Sequence, residues 1–334
     1  MSDPSNTDLP ADGPYYDDLQ PGHRFTTPTS LTFDSGASAS YRMIVGEHWT
    51  PGLDHRLSAA LTGQAAPLVN PGLVMSCVSG ASTVATRKVI ANLFYRNVVL
   101  RRAVHVGETL TTTTQVLAMA DASMRPGAPP RGKVLLGITA RTGAGVVADF
   151  QRCALLPCRG DDVPGYHGDI GSSPRELHLE SFAAAAPEWD LGLLAVHDPW
   201  AVGDSRVDVL RDVVDQATAL VRLTHNLAAV HRDATATAFG ERRLVYGGHT
   251  VALAQASLER TIGGLATVVG WHECIHAGPV YEGDLLGFRH TVIAELLRPD
   301  GLSGMVRAIK VEVTAHRHDG TVVVLDWTPV VLTS

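Results

Sequence analysis

AVHVGETL (residues 103–110) and PVYEGDLL (residues 279–286) are two copies of one strand-opening pattern, set 176 positions apart. Working outward from them, the same offset holds without a gap, so that residues 55 to 118 lie on residues 231 to 294. His55 falls on His231, Arg56 on Arg232, Leu68-Val69 on Leu244-Val245, Gly72 on Gly248, Val104 on Val280, Gly107 on Gly283 and Leu110 on Leu286. A unit of about half the chain, present twice, predicts two similar folded halves packed around a pseudo-twofold axis. Duplication also lets one half keep chemistry while the other drifts, so the informative comparison is between the halves.

Within each half the order of elements follows from pattern. In the first, a stretch around Ala37 to Val45 reads as helical. LVMSCVSGASTVATRKVI is long and rich in small and apolar residues, which suits a helix buried on most of its surface. NLFYRNVVL, ETLTTTTQVLAM, KVLLGITARTG and VVADFQRCALL follow, with the alternation and the Thr, Val and aromatic content of an antiparallel sheet. The turn-rich RGDDVPGYHGDIGSSPRE, residues 159–176, separates residues 1–158 from residues 177–334. In the second half RVDVLRDVVDQATALVRLTHN reads as an amphipathic helix and HTVALAQASLERTIGG as a second buried helix with Gly-Gly as its stop. ATVVGWHECIH, DLLGFRHTVIAEL, MVRAIKVEVTAHR and TVVVLDWTPVVL read as strands. A long helix wrapped by a curved antiparallel sheet, built twice, is an α+β architecture.

Composition narrows the function classes. The 334 residues are 45% hydrophobic and 18% charged, enough to bury a large core in two domains of ordinary size. With 27 Lys+Arg against 34 Asp+Glu the net charge is -7, and no basic stripe suggests a nucleic-acid partner. The first twenty residues are acidic and Pro/Gly-rich, unlike a secretory signal, and no stretch has the length of a bilayer-spanning helix, so the expectation is a cytoplasmic protein with no membrane partner. Cys77, Cys153, Cys158 and Cys274 form no CxxC pair and are expected as buried thiols. His272 and His276 share one face of a strand but have no third ligand in the pattern, so no metal or other cofactor is expected.

Three segments carry a family resemblance: HNLAAVHRD followed by FGERRLVYGGHTVALA, the matched pair AVHVGETL and PVYEGDLL, and VIANLFYRNV. In them the chain resembles the MaoC-like acyl-CoA hydratases and dehydratases of the double hot-dog class, and within it the mesaconyl-CoA-hydratase-like branch. The resemblance runs from about Tyr15 to Leu332 and implies a tandem hot-dog fold with an acyl-thioester site at the interface of the halves. In the wider family the second-half motif is an Asp and a His five residues apart with Asn-Pro between them. Here those positions hold Asn226 and His231, separated by Leu-Ala-Ala-Val, and Tyr246 stands where the family has His before the buried helix.

The implied chemistry is addition of water to an enoyl thioester, or its removal from a 3-hydroxyacyl thioester. It needs a group that moves a proton and donors where negative charge gathers on the thioester oxygen. His231 suits acid/base work near neutral pH, Asn226 suits positioning, and Gly247 and Gly248 open a helix with bare amides for the oxyanion. Tyr246 and His249 flank that opening and read equally as packing or capping residues. Residues five apart on an ideal helix point about 140° away from each other, so Asn226 and His231 converge only if the helix ends between them.

Thr50 and His55 are the first-half positions matching Asn226 and His231, either a second site or a remnant. Arg96, Arg101 and Arg102 are candidates for CoA phosphates. A second pattern, Asp212 and Gln216 with His48 and Gly52, is similar to that of polyketide dehydratase domains, although on an amphipathic helix Asp212 is more simply a solvated residue. The expected partner is an acyl-CoA or acyl-carrier-protein thioester, with a homodimer compatible with exposed sheet edges. A hot-dog thioesterase and a non-catalytic acyl-binding or partner subunit are the alternatives, since fold does not decide chemistry.

Overall fold

Period-two burial along eight long segments makes a single antiparallel sheet, and two apolar helices are packed against it. The computed structural model describes residues 11–27, 29–123, 127, 129–173, 176–194, 200–236, 242–298 and 302–334. The first half runs β1 (Arg24–Thr26), β2 (Leu31–Thr32), α1 (Ser35–Val45), α2 (Thr50–Leu53), α3 (His55–Thr62) and α4 (Pro71–Ala81), then β3 (Ala91–Leu100), β4 (Thr109–Asp121), β5 (Arg131–Thr142) and β6 (Gly145–Pro157). The second runs α5 (Leu179–Ala183), β7 (Ser205–Val207), β8 (Asp212–Val213), α6 (Ala217–Leu223) and α7 (Gly247–Thr261), then β9 (Leu265–Ile275), β10 (Leu285–Leu297), β11 (Met305–Arg317) and β12 (Gly320–Thr333).

The strand order β1-β4-β5-β6-β3-β9-β12-β11-β10-β7 is a near mirror about the β3–β9 junction. There Val98 pairs with Trp271 and Val99 with Gly270. Residue 270 has to be glycine for the halves to meet, because a Cβ there would run into the Val98 carbonyl and the Phe182 ring. The repeat read from the sequence is the repeat of the fold: β10 is β4 shifted by the same offset, and α7 opens where α4 does.

The two central helices pack on one another. From Pro71 to Gly80 every residue of α4 is buried, which Gly, Ser and Cys side chains permit without forcing the sheets apart. Asn70 caps α4 by accepting from the Gly72 amide at 2.7 Å, and its Nδ2 donates to Glu259 Oε1 of α7 at 2.9 Å. Gln255 joins them, its Nε2 2.8 Å from Asn70 Oδ1. Burial pushes the nearby Glu47 carboxyl up to about 7.

Two expectations fail, the first in length: the buried helix expected over residues 73–90 ends at Ala81, and a 3₁₀ turn, Ser82–Ala85, follows it. Residues 206–226 do not form a single amphipathic helix but β7, β8 and the seven-residue α6. Asp208 and Asp212 are drawn to Arg260 at 2.6 and 2.7 Å, and Asp208 closes a turn by accepting from the Leu210 amide at 2.9 Å. These side-chain bonds compete with helix formation, and Val209 of that stretch is 94% exposed. Residues 159–176, read as a spacer, lie on the first half where described: Gly168 N–H donates to Met119 O and Asp121 N–H to Tyr166 O, each at 2.8 Å. Pro174 and Arg175 of that segment, and residues 237–241 of the loop before α7, lie outside the described residues. All four cysteines are buried and unbridged. Among the described residues no helix is long and apolar enough to cross a membrane.

Candidate active site

Asn226 and His231 come together because the helix before them stops early. α6 ends at Leu223, and His225 then takes a left-handed conformation, φ 53°. The Asn226 amide closes the turn on Val221 O at 3.0 Å. Ala228 N–H donates to Asn226 Oδ1 at 2.9 Å, and Arg232 Nε holds the Asn226 carbonyl at 2.7 Å. The first half pins the same turn, since Leu227 N–H donates to Thr83 Oγ1 at 2.7 Å. Residues Ala229–His231 make one 3₁₀ turn that brings His231 back. The break therefore precedes Asn226 rather than falling between the two residues.

The hydrogen bonds fix what each side chain offers. His231 Nδ1 lies 3.0 Å from the Leu244 carbonyl, which only accepts, so Nδ1 carries the hydrogen and Nε2 keeps a lone pair. Burial pushes His231 down to about 4; the Leu244 bond opposes this, and His276 and Arg152 add to it. Asn226 is fully buried, and with Oδ1 engaged its Nδ2 is a donor without a partner among the described residues.

Tyr246 precedes α7, its ring centroid 5.5 Å from that of His231 and its hydroxyl donating to Ser76 O of α4 at 3.2 Å. Gly247 and Gly248 are the first residues of α7, and among the described residues their amides meet no acceptor. A Cβ at 247 would lie 2.6 Å from the His276 ring, and one at 248 would lie 2.5 Å from the Tyr246 ring. Both positions are glycine because two aromatic rings close over them.

These groups line one cavity of about 280 Å³. The second half contributes Asn226, His231, Tyr246, Gly247, Gly248 and His276; the first contributes Ser79, Thr83, Asn92, Tyr95 and Arg152. Among the described residues no Asp or Glu lines it. Burial pushes His276 down to about 4 as well, so the cavity holds neutral imidazoles and one guanidinium at neutral pH.

Other candidates lie elsewhere. His249 is buried outside the cavity lining, its amide bonded to Tyr246 O at 2.8 Å. Thr50 and His55 are exposed and border a shallow depression with Leu53, Asp54 and Arg56. The first-half counterpart of the cavity is a void of about 20 Å³, with Trp49 among its lining residues and donating to Ala266 O at 2.9 Å. Among the arginines proposed for CoA, Arg101 pairs with Asp149 at 2.6 Å, Arg102 with Glu108, and Arg96 bonds Gln151. Asp212 is held by Arg260 and does not meet His48, which is exposed. Among the described residues no cluster of three His, Cys, Asp or Glu surrounds His272 and His276.

Sequence reasoning missed Arg152, Tyr95 and Asn92. A signal for Arg152 was present: alternation in VVADFQRCALL places it on the face of Phe150 and Ala154, an arginine within an apolar stripe.

A paired buried-helix core under one continuous sheet, with a polar cavity formed by both halves, defines a double hot-dog protein. Rv0216 of Mycobacterium tuberculosis, a conserved hypothetical protein with a double hot-dog fold, is 35% identical and superimposes with a TM-score of 0.84, covering 98% of this chain and 100% of that one. The β-methylmalyl-CoA dehydratase of Chloroflexus aurantiacus is 22% identical over 303 residues, 86% of this chain and 84% of that protein. The mesaconyl-CoA hydratase of Cereibacter sphaeroides is 25% identical over 320 residues, 92% of this chain and 90% of that protein. No family model matches the chain. The chain belongs to the double hot-dog family of which Rv0216 is a member.

Proposed function

We propose that the protein is an acyl-thioester hydratase or dehydratase, adding water to an enoyl-CoA or removing it from a 3-hydroxyacyl-CoA. The observation that carries this reading is the pairing, on one cavity, of an unprotonated His231 Nε2 with an Asn226 Nδ2 that has no partner among the described residues. Asn226 donates to a water oxygen and His231 accepts a water proton, so the water is held with a lone pair free for the β carbon. The C–O bond forms there, the double-bond electrons move to the α carbon, and charge collects on the thioester oxygen against the Gly247 and Gly248 amides at the head of α7. The imidazolium returns the proton to the α carbon, and the reverse sequence is dehydration. Residues 177–334 supply these groups and residues 1–158 the acyl surroundings. The names of the two curated relatives support CoA as the carrier.

A mass-resolved assay with enoyl-CoA and 3-hydroxyacyl-CoA thioesters tests the reading. The expected product differs from substrate by one water. Release of free CoA identifies a thioesterase instead, and binding without turnover identifies an acyl-binding subunit; either overturns the proposal.

The pH profile follows from the His231 environment. The base works when neutral, so kcat/KM falls as pH drops through the free-enzyme value of about 4, rather than through the ordinary histidine range near about 6.5. Activity is therefore expected to stay level from pH 7 down to about 5, checked in buffers of constant ionic strength. An acid limb centred on the ordinary histidine value would contradict this.

A further inference from the structure

His276 is a cavity side chain that the hydration scheme leaves without a role. It follows the last residue of β9 and lines the cavity together with His231. Its Cε1 and Nε2 lie 2.6 Å from where a Cβ at Gly247 would be. In a helix that direction tilts toward the N-terminus, the end to which the first amides also point. The ring edge therefore stands beside any oxygen that the Gly247 and Gly248 amides hold. Among the described residues neither ring nitrogen has a hydrogen-bond partner, and neither is sealed off by protein. Burial keeps the imidazole uncharged at neutral pH, so it carries one N–H and one lone pair. Tyr246, the other ring over this opening, has its hydroxyl proton committed to Ser76 O.

The first half is the control that the duplication supplies. At the same offset Gly247 matches Pro71, Gly248 matches Gly72 and His276 matches Leu100. Pro71 has no amide hydrogen, the Gly72 amide donates to Asn70 Oδ1 at 2.7 Å, and both Pro71 and Leu100 line the small void. Where the first two positions of the helix have no amide to spare, the chain has leucine; where both amides meet no acceptor among the described residues and the cavity is open, it has an imidazole. Packing against the helix head asks only for apolar volume, which leucine supplies in the first half. We propose that His276 is a third donor to the thioester oxygen, its Nε2–H bonding that oxygen beside the Gly247 and Gly248 amides. The reaction it serves rests on the hydration reading; the bond to the oxygen does not, since any acyl thioester seated there would form it. No bond to His276 is made or broken. As the double-bond electrons reach the α carbon and the oxygen gains charge, Nε2 keeps its hydrogen and shares it, and the proton that the α carbon receives comes from His231. A neutral donor suits this place, because the helix dipole opposes an imidazolium beside an N-terminus.

The infrared band of the thioester carbonyl reads this bond without turnover. Butyryl-CoA labelled with carbon-13 at the carbonyl has no double bond to hydrate, and each hydrogen bond to its oxygen moves the stretch to lower frequency. On binding to the full wild-type chain the labelled band is expected to move below its position in water. His276→Leu, which installs the first-half residue, is expected to lose part of that shift at equal saturation, and His276→Gln, whose amide still donates, to keep more of it. With an enoyl-CoA, His276→Leu is expected to lower kcat about 100-fold with KM changed no more than severalfold. Circular dichroism checks the fold, and where the leucine variant does not fold, His276→Phe, which keeps a ring over Gly247, is read in its place. Absence of the wild-type shift, or a folded variant whose band stays at the wild-type position, makes His276 a wall of the cavity and overturns the proposal, whether or not water is added to an enoyl-CoA. Loss of the shift in the variant of a chain that turns over no enoyl-CoA leaves the donor in place and removes the hydratase reading.

Discussion

His231→Ala is expected to lower kcat for hydration about 1,000-fold, close to 4 kcal/mol of barrier, with KM changed no more than severalfold. The magnitude is that of a general base removed from a site whose donors remain. Burial has already removed the competing protonated form at neutral pH, so wild-type His231 stands ready as a base, and alanine leaves the water held by Asn226 Nδ2 alone. Tyr246 does not substitute, because burial raises its hydroxyl well above the ordinary phenol range and its proton is committed to Ser76 O. Single-turnover measurement with saturating enoyl-CoA reads the chemical step directly. A folded His231→Ala protein with full activity would exclude the mechanism.

Gly248→Ala is expected to lower kcat about 100-fold or more while binding of a saturated acyl-CoA weakens far less. A Cβ at 248 would lie 2.5 Å from the Tyr246 ring. That ring is 5% exposed and tied by its hydroxyl to α4, so it has no open space to swing into. The first turn of α7 must shift instead, taking the Gly247 and Gly248 amides away from the proposed oxyanion position. Gly247→Ala meets the His276 ring in the same way. Thermal melting separates this from general destabilisation: unaltered kcat in a variant that folds and melts like wild type would remove these amides from the mechanism.

The fold is legible in the sequence where short-range pattern carries the information. The duplicated Val-Gly-Leu spacing, the alternation in the strands and the small-residue runs of α4 and α7 are properties of neighbouring residues, and they foretold two halves with one buried helix each. Segment 206–226 misled because its apolar residues recur at helical spacing while Asp208 and Asp212 bond to Arg260, more than forty residues away in the chain. The cation in VVADFQRCALL is legible as an arginine among core positions, whereas Arg96 of the neighbouring β3 and Arg101 and Arg102 just after it are the arginines that sequence offers as CoA contacts. What separates them is their partners: Asp149, Glu108 and Gln151 engage Arg101, Arg102 and Arg96, whereas among the described residues Arg152 bonds Thr86 and forms no ion pair.

The sequence by itself determined the duplication, the α+β class, the central helices with their glycine-led opening, and the His231 and Asn226 pair as candidates. Periodicity states which face of an element is buried, and turn chemistry states where it ends. Neither states what that face is buried against. Only the tertiary structure decided that Trp49 borders a small void in the first half while the matching cavity in the second remains open, that His225 turns the chain so Asn226 and His231 share a cavity, and that Arg152 of the first half lines that same cavity. Those outcomes depend on contacts between segments distant in the chain, set by how two sheets join at Gly270 and how two helices pack.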